Sequence, residues 1–165
     1  MLENKEIKST YYEVFPESFL DSNADGIGDL EGLRSKLTTI SQLGPNYVLI
    51  NQIFEEKDDK IDYKQVKKVL GDRKDLENVV KKAKEIRMKI IIDFDVKDLL
   101  KSYGEELLSN YKEILTDLND LGIRGVRVKN LDFLYKNGKE GLIEEIKSIT
   151  ENLDLMFIGG FKDPD

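Results

Sequence analysis

The sequence contains neither cysteine nor histidine, and these two absences exclude much of enzyme chemistry. Without cysteine the chain has no disulfide, no thiolate zinc site and no cysteine nucleophile. Without histidine it has no Ser-His or Cys-His triad, no imidazole metal ligand and no general base of the commonest type. Any chemistry must therefore come from carboxylates, lysine, tyrosine or a bound ion.

The sequence also lacks any apolar run near the ~18–20 residues that a membrane span needs, and its first ten residues are polar. These features predict a cytoplasmic protein with no membrane span and no signal peptide. Acidic residues outnumber basic ones by 33 to 26, and the net charge of −7 argues against nucleic acid as a partner. With 165 residues, the chain is long enough to form one globular domain, 1–165.

Short apolar runs alternate along the chain with segments of helical periodicity. Runs such as KIIIDF are continuously apolar, which is typical of strands buried on both faces of a parallel sheet. The alternation predicts parallel β-α units with right-handed crossovers. The predicted strands are 12–15, 47–50, 89–94, 125–128 and 155–158. The predicted helices are 29–43, 75–87, 105–121 and 139–152.

The number of units predicts an incomplete barrel. Eight β-α units take about 250 residues, so a chain of this length holds about five. The predicted fold is α/β, a partial TIM-type (β/α) barrel with about five parallel strands and four helices. Such a half barrel has two unpaired strand edges, which favour association. We therefore predict a homodimer, or a partner protein that covers the open edges. The charged stretch EEKDDK, 55–60, predicts a solvated loop.

The most distinctive local motif is DSNADGIGD, residues 21–29. Oxygen-bearing side chains alternate and are followed by Gly26, as in the first half of an EF-hand calcium loop. Gly32 stands where an EF-hand has its bidentate glutamate, so the motif predicts a lone calcium loop between a strand and a helix. The alternative is a polar turn in which Asp29 caps the next helix. The predicted calcium ligands are Asp21, Asn23, Asp25, the Ile27 carbonyl and Asp29.

The segment YYEVFPESFLDSNADGIGDLEGL, residues 11–33, resembles the first strand and loop of the α-amylase superfamily, glycoside hydrolase family 13. It is most similar to the oligo-1,6-glucosidase, trehalose-6-phosphate hydrolase and dextran glucosidase group, in which this loop binds calcium. The segments NYVLINQIF, KEIRMKIIIDFDV, GIRGVRVKN and DLMFIGG resemble the second to fifth strands, in order. The resemblance implies a barrel that acts on α-glucosidic bonds, with an α-glucan or oligosaccharide as its ligand.

The catalytic residues of the family are missing from the matching positions. Family members are retaining hydrolases with two carboxylates about 5–5.5 Å apart. The nucleophile block, usually Gly-Phe-Arg-x-Asp, corresponds to 125–129, where Arg127 is retained and Lys129 replaces the aspartate. The acid-base block, which usually ends Gly-Glu, ends here at Gly160. A substrate-contacting aspartate of the family maps onto Asp62.

These substitutions predict a degenerate, non-hydrolytic member of the family that binds calcium and keeps a carbohydrate-related binding role or a protein-interaction role. One alternative is the N-terminal half of a split α-glucosidase that a second chain completes. Another alternative is a decayed or trimmed chain without selected activity.

Several residues allow two interpretations. Asp93 is either a carboxylate that supports a site or a buried structural carboxylate bonded to Arg127. Asp95 and Asp98 are either an acid-base pair or a turn and a helix start. Lys129, if buried, is a candidate Schiff-base amine of the kind that barrel aldolases use. Three aromatic residues either stack on sugar rings or pack in the core of the first strand: Tyr11, Tyr12 and Phe15.

Overall fold

Five parallel strands form the central sheet of the protein in the computed structural model, which describes residues 9–161. The strands are β1 (Tyr11–Val14), β2 (Tyr47–Ile50), β3 (Phe54–Lys57), β4 (Lys60–Val66), β5 (Lys89–Asp95), β6 (Gly125–Lys129) and β7 (Met156–Gly159). The α-helices are α1 (Leu30–Ser41), α2 (Arg73–Glu85), α3 (Val96–Tyr103), α4 (Leu107–Leu121), α5 (Asp132–Lys136) and α6 (Glu140–Asn152).

The order of the central sheet is β1-β2-β5-β6-β7, and every neighbouring pair is parallel. The predicted strands all exist, with ends that differ by one residue at most. The predicted fold is therefore confirmed: the chain is α/β and forms a partial (β/α) barrel. The apolar run in β5 is buried on both faces, with Ile90, Ile91 and Ile92 all essentially inaccessible to solvent.

The two faces of the central sheet differ in polarity. On the outer face, Ile90, Ile92 and Phe94 belong to the main core under the helices. The opposite, concave face carries Ile91 and then Asp93 along the same strand, so its character changes from apolar to charged toward the carboxyl ends. Any polar site on this face must therefore lie at that end of the sheet.

The four predicted helices are present, and two helices were not predicted. Asp29 caps α1, and its side chain accepts a hydrogen bond from the Gly32 backbone at 2.6 Å. The helix predicted from residue 105 begins at Leu107. The additional helices are α3 and the short α5, which directly follow β5 and β6. Both are too short for a strong periodic signal.

The prediction of a solvated loop at 55–60 is wrong. These residues belong to an antiparallel hairpin, β3-β4: they form most of β3, the tip at Asp58 and Asp59, and the first residue of β4. Both tip residues have positive φ angles of 51° and 62°, the backbone conformation of the two-residue turn that suits strand twist. Apolar side chains that alternate with the charged ones hold the two strands of the hairpin together. Phe54 of β3 and Tyr63 of β4 pack with their ring centroids 5.2 Å apart.

The two edge strands, β1 and β7, each pair on one side only among residues 9–161. Exposed aromatic side chains lie beside both edges, with Tyr11 and Phe15 at β1 and Tyr135 and Phe161 at β7. Unpaired edges of this kind are prone to association. The homodimer stays a prediction, and sedimentation equilibrium checks it. A dimer is expected at micromolar concentration, whereas a monomer at every concentration contradicts it.

Among the described helices, none is both long enough and apolar enough to cross a bilayer. The longest, α4, has 15 residues. The polar start of the chain lies largely outside the described residues, since the description begins at residue 9.

Candidate functional site

A cavity of about 250 Å³ opens at the carboxyl ends of the parallel strands, which is where sites form in (β/α) barrels. Strands β5 and β6 supply Asp93 and Lys129 to its floor, and the start of α3 supplies Asp98. The β3-β4 hairpin supplies Glu56 and Tyr63. The hairpin therefore forms one wall of the cavity, which the sequence did not predict.

A partly buried ionic network lies beside this cavity, with Arg127 at its centre. The Arg127 Nε donates to Asp93 Oδ1 at 2.6 Å, and Nη2 donates to Glu13 Oε1 and to Asn51 Oδ1, both at 2.8 Å. The Asn51 amide also donates to Glu13, at 2.9 Å. These contacts join strands β1, β5 and β6 and the residue after β2 across the concave face. Asp93 therefore makes the contact that its structural interpretation predicts.

Lys129 completes the network. Its Nζ lies 2.6 Å from Asp93 Oδ2, so the two Asp93 oxygens are taken by two different cations. The Asp93 side chain is only 3% exposed, so a carboxylate there requires such partners. Glu13, Asp93, Arg127 and Lys129 sum to zero charge. A Schiff-base role needs a free amine, whereas the Lys129 amine is held in this ion pair.

The network shifts the pKa of its members in opposite directions. The hydrogen bond from Arg127 outweighs burial and holds the pKa of Glu13 below its ordinary value of 4.5. For Arg127, burial alone would lower the pKa, but the hydrogen bonds to Glu13 and Asp93 raise it. Both shifts favour the charged forms, so Glu13 and Arg127 form an ionised pair at neutral pH.

Gly160, which the resemblance places at the position of the family's acid-base residue, packs directly against Lys129. Its backbone nitrogen donates to the Val128 carbonyl at 2.8 Å. A Cβ placed on Gly160 would lie 3.2 Å from the Lys129 Cα, which is tighter than an ordinary contact. A larger residue at this position therefore requires the neighbouring backbone to shift.

Among residues 9–161, the carboxylates on the α3 side of the cavity form fewer ion pairs than Asp93 does. Asp95 caps α3 by accepting from the Lys97 backbone at 2.9 Å, and it also accepts from the Asn130 amide. Asp98 accepts no hydrogen bond from residues within 9–161, and the same is true of Glu56. Burial, followed by the nearby negative charges of Asp95 and Glu56, raises the pKa of Asp98. Asp98 is therefore a carboxylate that would gain from a ligand that donates hydrogen bonds.

Asp62 does not belong to the cavity lining. It lies on β4 between Ile61 and Tyr63, which do line the cavity, and successive strand residues point to opposite faces. Its side chain is exposed and accepts from the Lys64 backbone at 3.0 Å. The aromatic residues Tyr11 and Phe15 are exposed near the β1 edge, whereas Tyr12 packs against the core.

Hydrogen bonds between side chains and the backbone fold the loop of residues 21–29. Asp21 Oδ2 accepts from the Gly26 backbone at 2.8 Å, while its Oδ1 accepts from the backbones of Asn23 and Ala24 at 3.0 and 2.7 Å. Gly26 has a φ of +91°, which suits the glycine at position 6 of an EF-hand loop. These bonds curl the chain around Asp21.

The donor set of this loop fits calcium only in part. Asp21, Asn23, Asp25 and the Ile27 carbonyl stand at positions 1, 3, 5 and 7 of the motif. Asp29 is otherwise engaged, because it accepts from Gly32 and from the Ser22 backbone and hydroxyl. Within residues 9–161 no three acidic side chains already converge as a metal cluster. Calcium binding by this loop stays a prediction.

Comparison with known proteins agrees with this architecture. The model of the family described as "Alpha amylase, catalytic domain" matches residues 13–98, just over half of the chain. Maltase A1 of Drosophila melanogaster is 38% identical over 89 residues, which are 51% of this chain and 15% of that protein. Oligo-1,6-glucosidase of Bacillus cereus is 33% identical over 94 residues, 54% of this chain and 17% of that protein. The chain thus spans about a sixth of the length of these relatives.

Solved structures extend the likeness to the rest of the fold. Isomaltulose synthase from Klebsiella sp. LX3 superposes with a TM-score of 0.70 at 18% identity, over 92% of this chain and 44% of that one. A MutB mutant from crystals soaked with trehalulose gives a TM-score of 0.72, also at 18% identity and over the same shares. At this identity the likeness shows the fold alone. The family match, which includes the end of β1, the calcium-like loop, β2 and β5, shows that the chain belongs to the α-amylase family.

Proposed function

We propose that this chain is a non-hydrolytic member of the α-amylase family that binds a sugar in the cavity at its strand ends. The observation that carries the proposal is the contact of 2.6 Å between Lys129 and Asp93. Lys129 stands at the nucleophile position that the resemblance assigns, and it is committed to a buried partner.

The chemistry of glycoside cleavage supports the non-hydrolytic proposal. Retaining hydrolysis needs one carboxylate as nucleophile and another as acid-base, about 5–5.5 Å apart, around an oxocarbenium-like transition state. An ammonium at Lys129 cannot attack the anomeric carbon, and its charge opposes the developing positive charge. At the second position, Gly160 has no proton to give. Both roles are therefore unfilled.

The free groups of the cavity favour a ligand rich in hydroxyls. Asp98 and Glu56 are carboxylates with unused acceptor capacity, while Lys129 is already paired with Asp93 and Lys67 with Glu17. A cavity of about 250 Å³ has room for one sugar ring rather than a longer chain. Because the relatives named above include an oligo-1,6-glucosidase, we propose the non-reducing glucose of an α-glucoside as the ligand.

The binding experiment uses isomaltose and the Asp98→Asn variant. Isothermal titration should give saturable binding to the wild type and affinity about tenfold lower or worse for the variant, because a hydrogen bond to a charged group is lost. Asp98→Asn should not destabilise the fold, since the raised pKa of Asp98 marks its charged form as unfavourable there.

Asp62→Asn is the matched control, because it makes the same chemical change outside the cavity lining. Its affinity for isomaltose should equal that of the wild type. Equal weakening in both variants, or no binding by the wild type, contradicts a sugar site at this position.

A second candidate is the N-terminal half of a split α-glucosidase. It is favoured by the unpaired edges of the sheet and by the fold neighbours, of which this chain covers 44%. This candidate requires turnover of an aryl α-glucoside once the remaining barrel strands are supplied. Lys129 and Gly160 weigh against it, because both catalytic positions lie within this half.

We also propose that calcium binds the loop at 21–29 and stabilises the fold. At a calcium concentration of about a hundred times Kd, binding only to the folded state adds about 2.7 kcal/mol. For a domain of this size that corresponds to a rise in Tm of about 5–10 °C. Thermal melts with calcium and with chelator measure it, and Asp21→Asn should reduce the difference. An unchanged midpoint contradicts the proposal. A cytoplasmic location stays a prediction.

A further inference from the structure

A second concavity, of about 640 Å³, lies in the outer helical layer. It is formed by α3, the start of α4, α5 and the start of α6, and it shares no lining residue with the cavity at the strand ends. We call it the lysine-rimmed groove. Its floor is apolar and comes from four different helices: Leu100, Leu107, Leu108, Phe133 and Leu142.

The rim of this groove is basic, although the chain is acidic. Lys97 and Lys101 lie one turn apart on α3, and Lys139 lies on the α6 side. All three are exposed. Glu105 is the single acidic residue of the lining. The groove thus carries a net charge of +2 in a chain whose net charge is −7.

The interactions that Lys97 and Lys101 make within the chain are weak. Lys97 Nζ lies 5.4 Å from the Phe133 ring centroid, which places this cation directly beside the apolar floor. Lys101 lies 3.7 Å from Asp59 of the hairpin, and both side chains of this pair are largely exposed. Exposed pairs of this kind contribute little free energy, so an incoming carboxylate can replace Asp59 at small cost.

We propose that the lysine-rimmed groove is the docking site for an acidic amphipathic helix of a partner protein. An apolar floor between basic rims matches a helix that has leucine-like residues along one face and carboxylates along its flanks. Charge complementarity sets the orientation and the rate of such an encounter. The groove is concave, which suits an inserted helix better than a flat lipid surface.

A second copy of this chain does not supply such a helix from residues 9–161. The apolar faces of α1, α2, α4 and α6 are already buried in the core: their buried residues include Leu33, Val79, Leu115 and Ile146. A docking helix with a free apolar face must therefore come from outside these four helices, and we propose that a partner protein supplies it.

The test measures binding of a labelled probe peptide to the full chain. The probe has about 16 residues, long enough to form a helix in the groove, with leucines at helical spacing and glutamates on both flanks. Fluorescence anisotropy should show saturable binding that weakens as salt rises. The variant Lys97→Glu/Lys101→Glu should bind the probe about tenfold more weakly or worse, since two favourable rim charges become repulsive.

Control variants distinguish binding in the lysine-rimmed groove from nonspecific electrostatic attraction. Lys36→Glu/Lys147→Glu makes the same change in net charge at exposed lysines outside the groove and should leave binding unchanged. A peptide with lysines in place of the glutamates should not bind. The proposal is overturned by equal weakening in the two double variants, by absence of binding, or by lysine-dependent binding to phosphatidylglycerol vesicles in preference to the probe.

Discussion

Replacing Arg127 by methionine is expected to destabilise the protein by about 3–5 kcal/mol, the usual result of breaking a buried ion pair. The substitution leaves Asp93 with Lys129 as its remaining cation, removes one of the two donors to Glu13, and leaves the Asn51 Oδ1 without the donor that Arg127 supplies. Because total stabilities are about 5–15 kcal/mol, this is a large fraction of the whole. A thermal melt should show a fall in Tm of about 6–20 °C.

Arg73→Met is the matched control for this prediction. Arg73 also binds a carboxylate through two nitrogens, since its Nη1 and Nη2 donate to Asp117 at 2.7 and 2.9 Å, but both side chains are about half exposed. Exposed pairs contribute about 0–1 kcal/mol. A loss at Arg127 no larger than the loss at Arg73 contradicts the account of the buried network.

The pH dependence of the Arg127 effect has a definite sign. The pKa of Glu13 is lowered in the folded protein, mainly by the hydrogen bond from Arg127. A carboxylate of this kind contributes stability above its unfolded pKa, and that stability is lost as the pH falls through the folded pKa. The difference in stability between wild type and Arg127→Met should therefore be full at pH 7 and shrink as the pH falls below about 4.5.

Replacing Tyr63 by alanine is expected to destabilise the protein by about 3–5 kcal/mol and to abolish sugar binding. Tyr63 holds the β3-β4 hairpin against the sheet: its ring centroid lies 5.0 Å from that of Phe94 and 5.2 Å from that of Phe54. The side chain is almost fully buried. Its loss leaves a void under the hairpin, which carries Glu56 and one wall of the cavity.

Two variants control the Tyr63 prediction. Tyr135→Ala removes an equally large ring that is exposed, and its effect on stability should be below about 1 kcal/mol. Tyr63→Phe keeps the ring and should restore most of the stability and the isomaltose affinity. Urea unfolding and titration calorimetry measure both quantities. Unchanged sugar binding in Tyr63→Ala would show that the hairpin does not form part of the site.

The sheet was predictable because each parallel strand is a short apolar run bounded by turn residues. The run KIIIDF is continuously apolar, which is typical of a strand buried on both faces, as in a parallel sheet that is covered by helices. The helix ends were predictable where the signal is local, as at Asp29, which caps α1, and at Gly122, whose φ of +111° ends α4.

The β3-β4 hairpin could not be predicted in the same way, because its many charged residues obscure the alternation of apolar and polar side chains that marks a strand. Its tip, Asp58-Asp59, lacks the glycine that usually marks a two-residue turn. Half of each strand faces solvent and is rich in glutamate and lysine. The signal that was present is the alternation of Ile61 and Tyr63 with polar neighbours, over a length too short to outweigh the composition.

The sequence predicted which strands carry the site residues, but it did not predict which of these residues contact each other. Family resemblance placed Lys129 and Arg127 on one strand and Asp93 on its neighbour. The pairing of Lys129 with Asp93 depends on the register of β5 and β6, in which Asp93 lies opposite Arg127 and Asp95 opposite Lys129. Register is set by long-range packing, so a single sequence does not show which cation meets which carboxylate.

The most direct test of the central claim follows isomaltose by NMR in the presence of the purified chain. Saturation transfer from protein to sugar reports binding, and the anomeric signals of free glucose report cleavage in the same sample. We predict saturation transfer to isomaltose with no release of glucose, because the resemblance places Lys129 and Gly160 at the two catalytic positions. Glucose release that depends on the protein, and that disappears in Asp93→Asn, would contradict the proposed non-hydrolytic function.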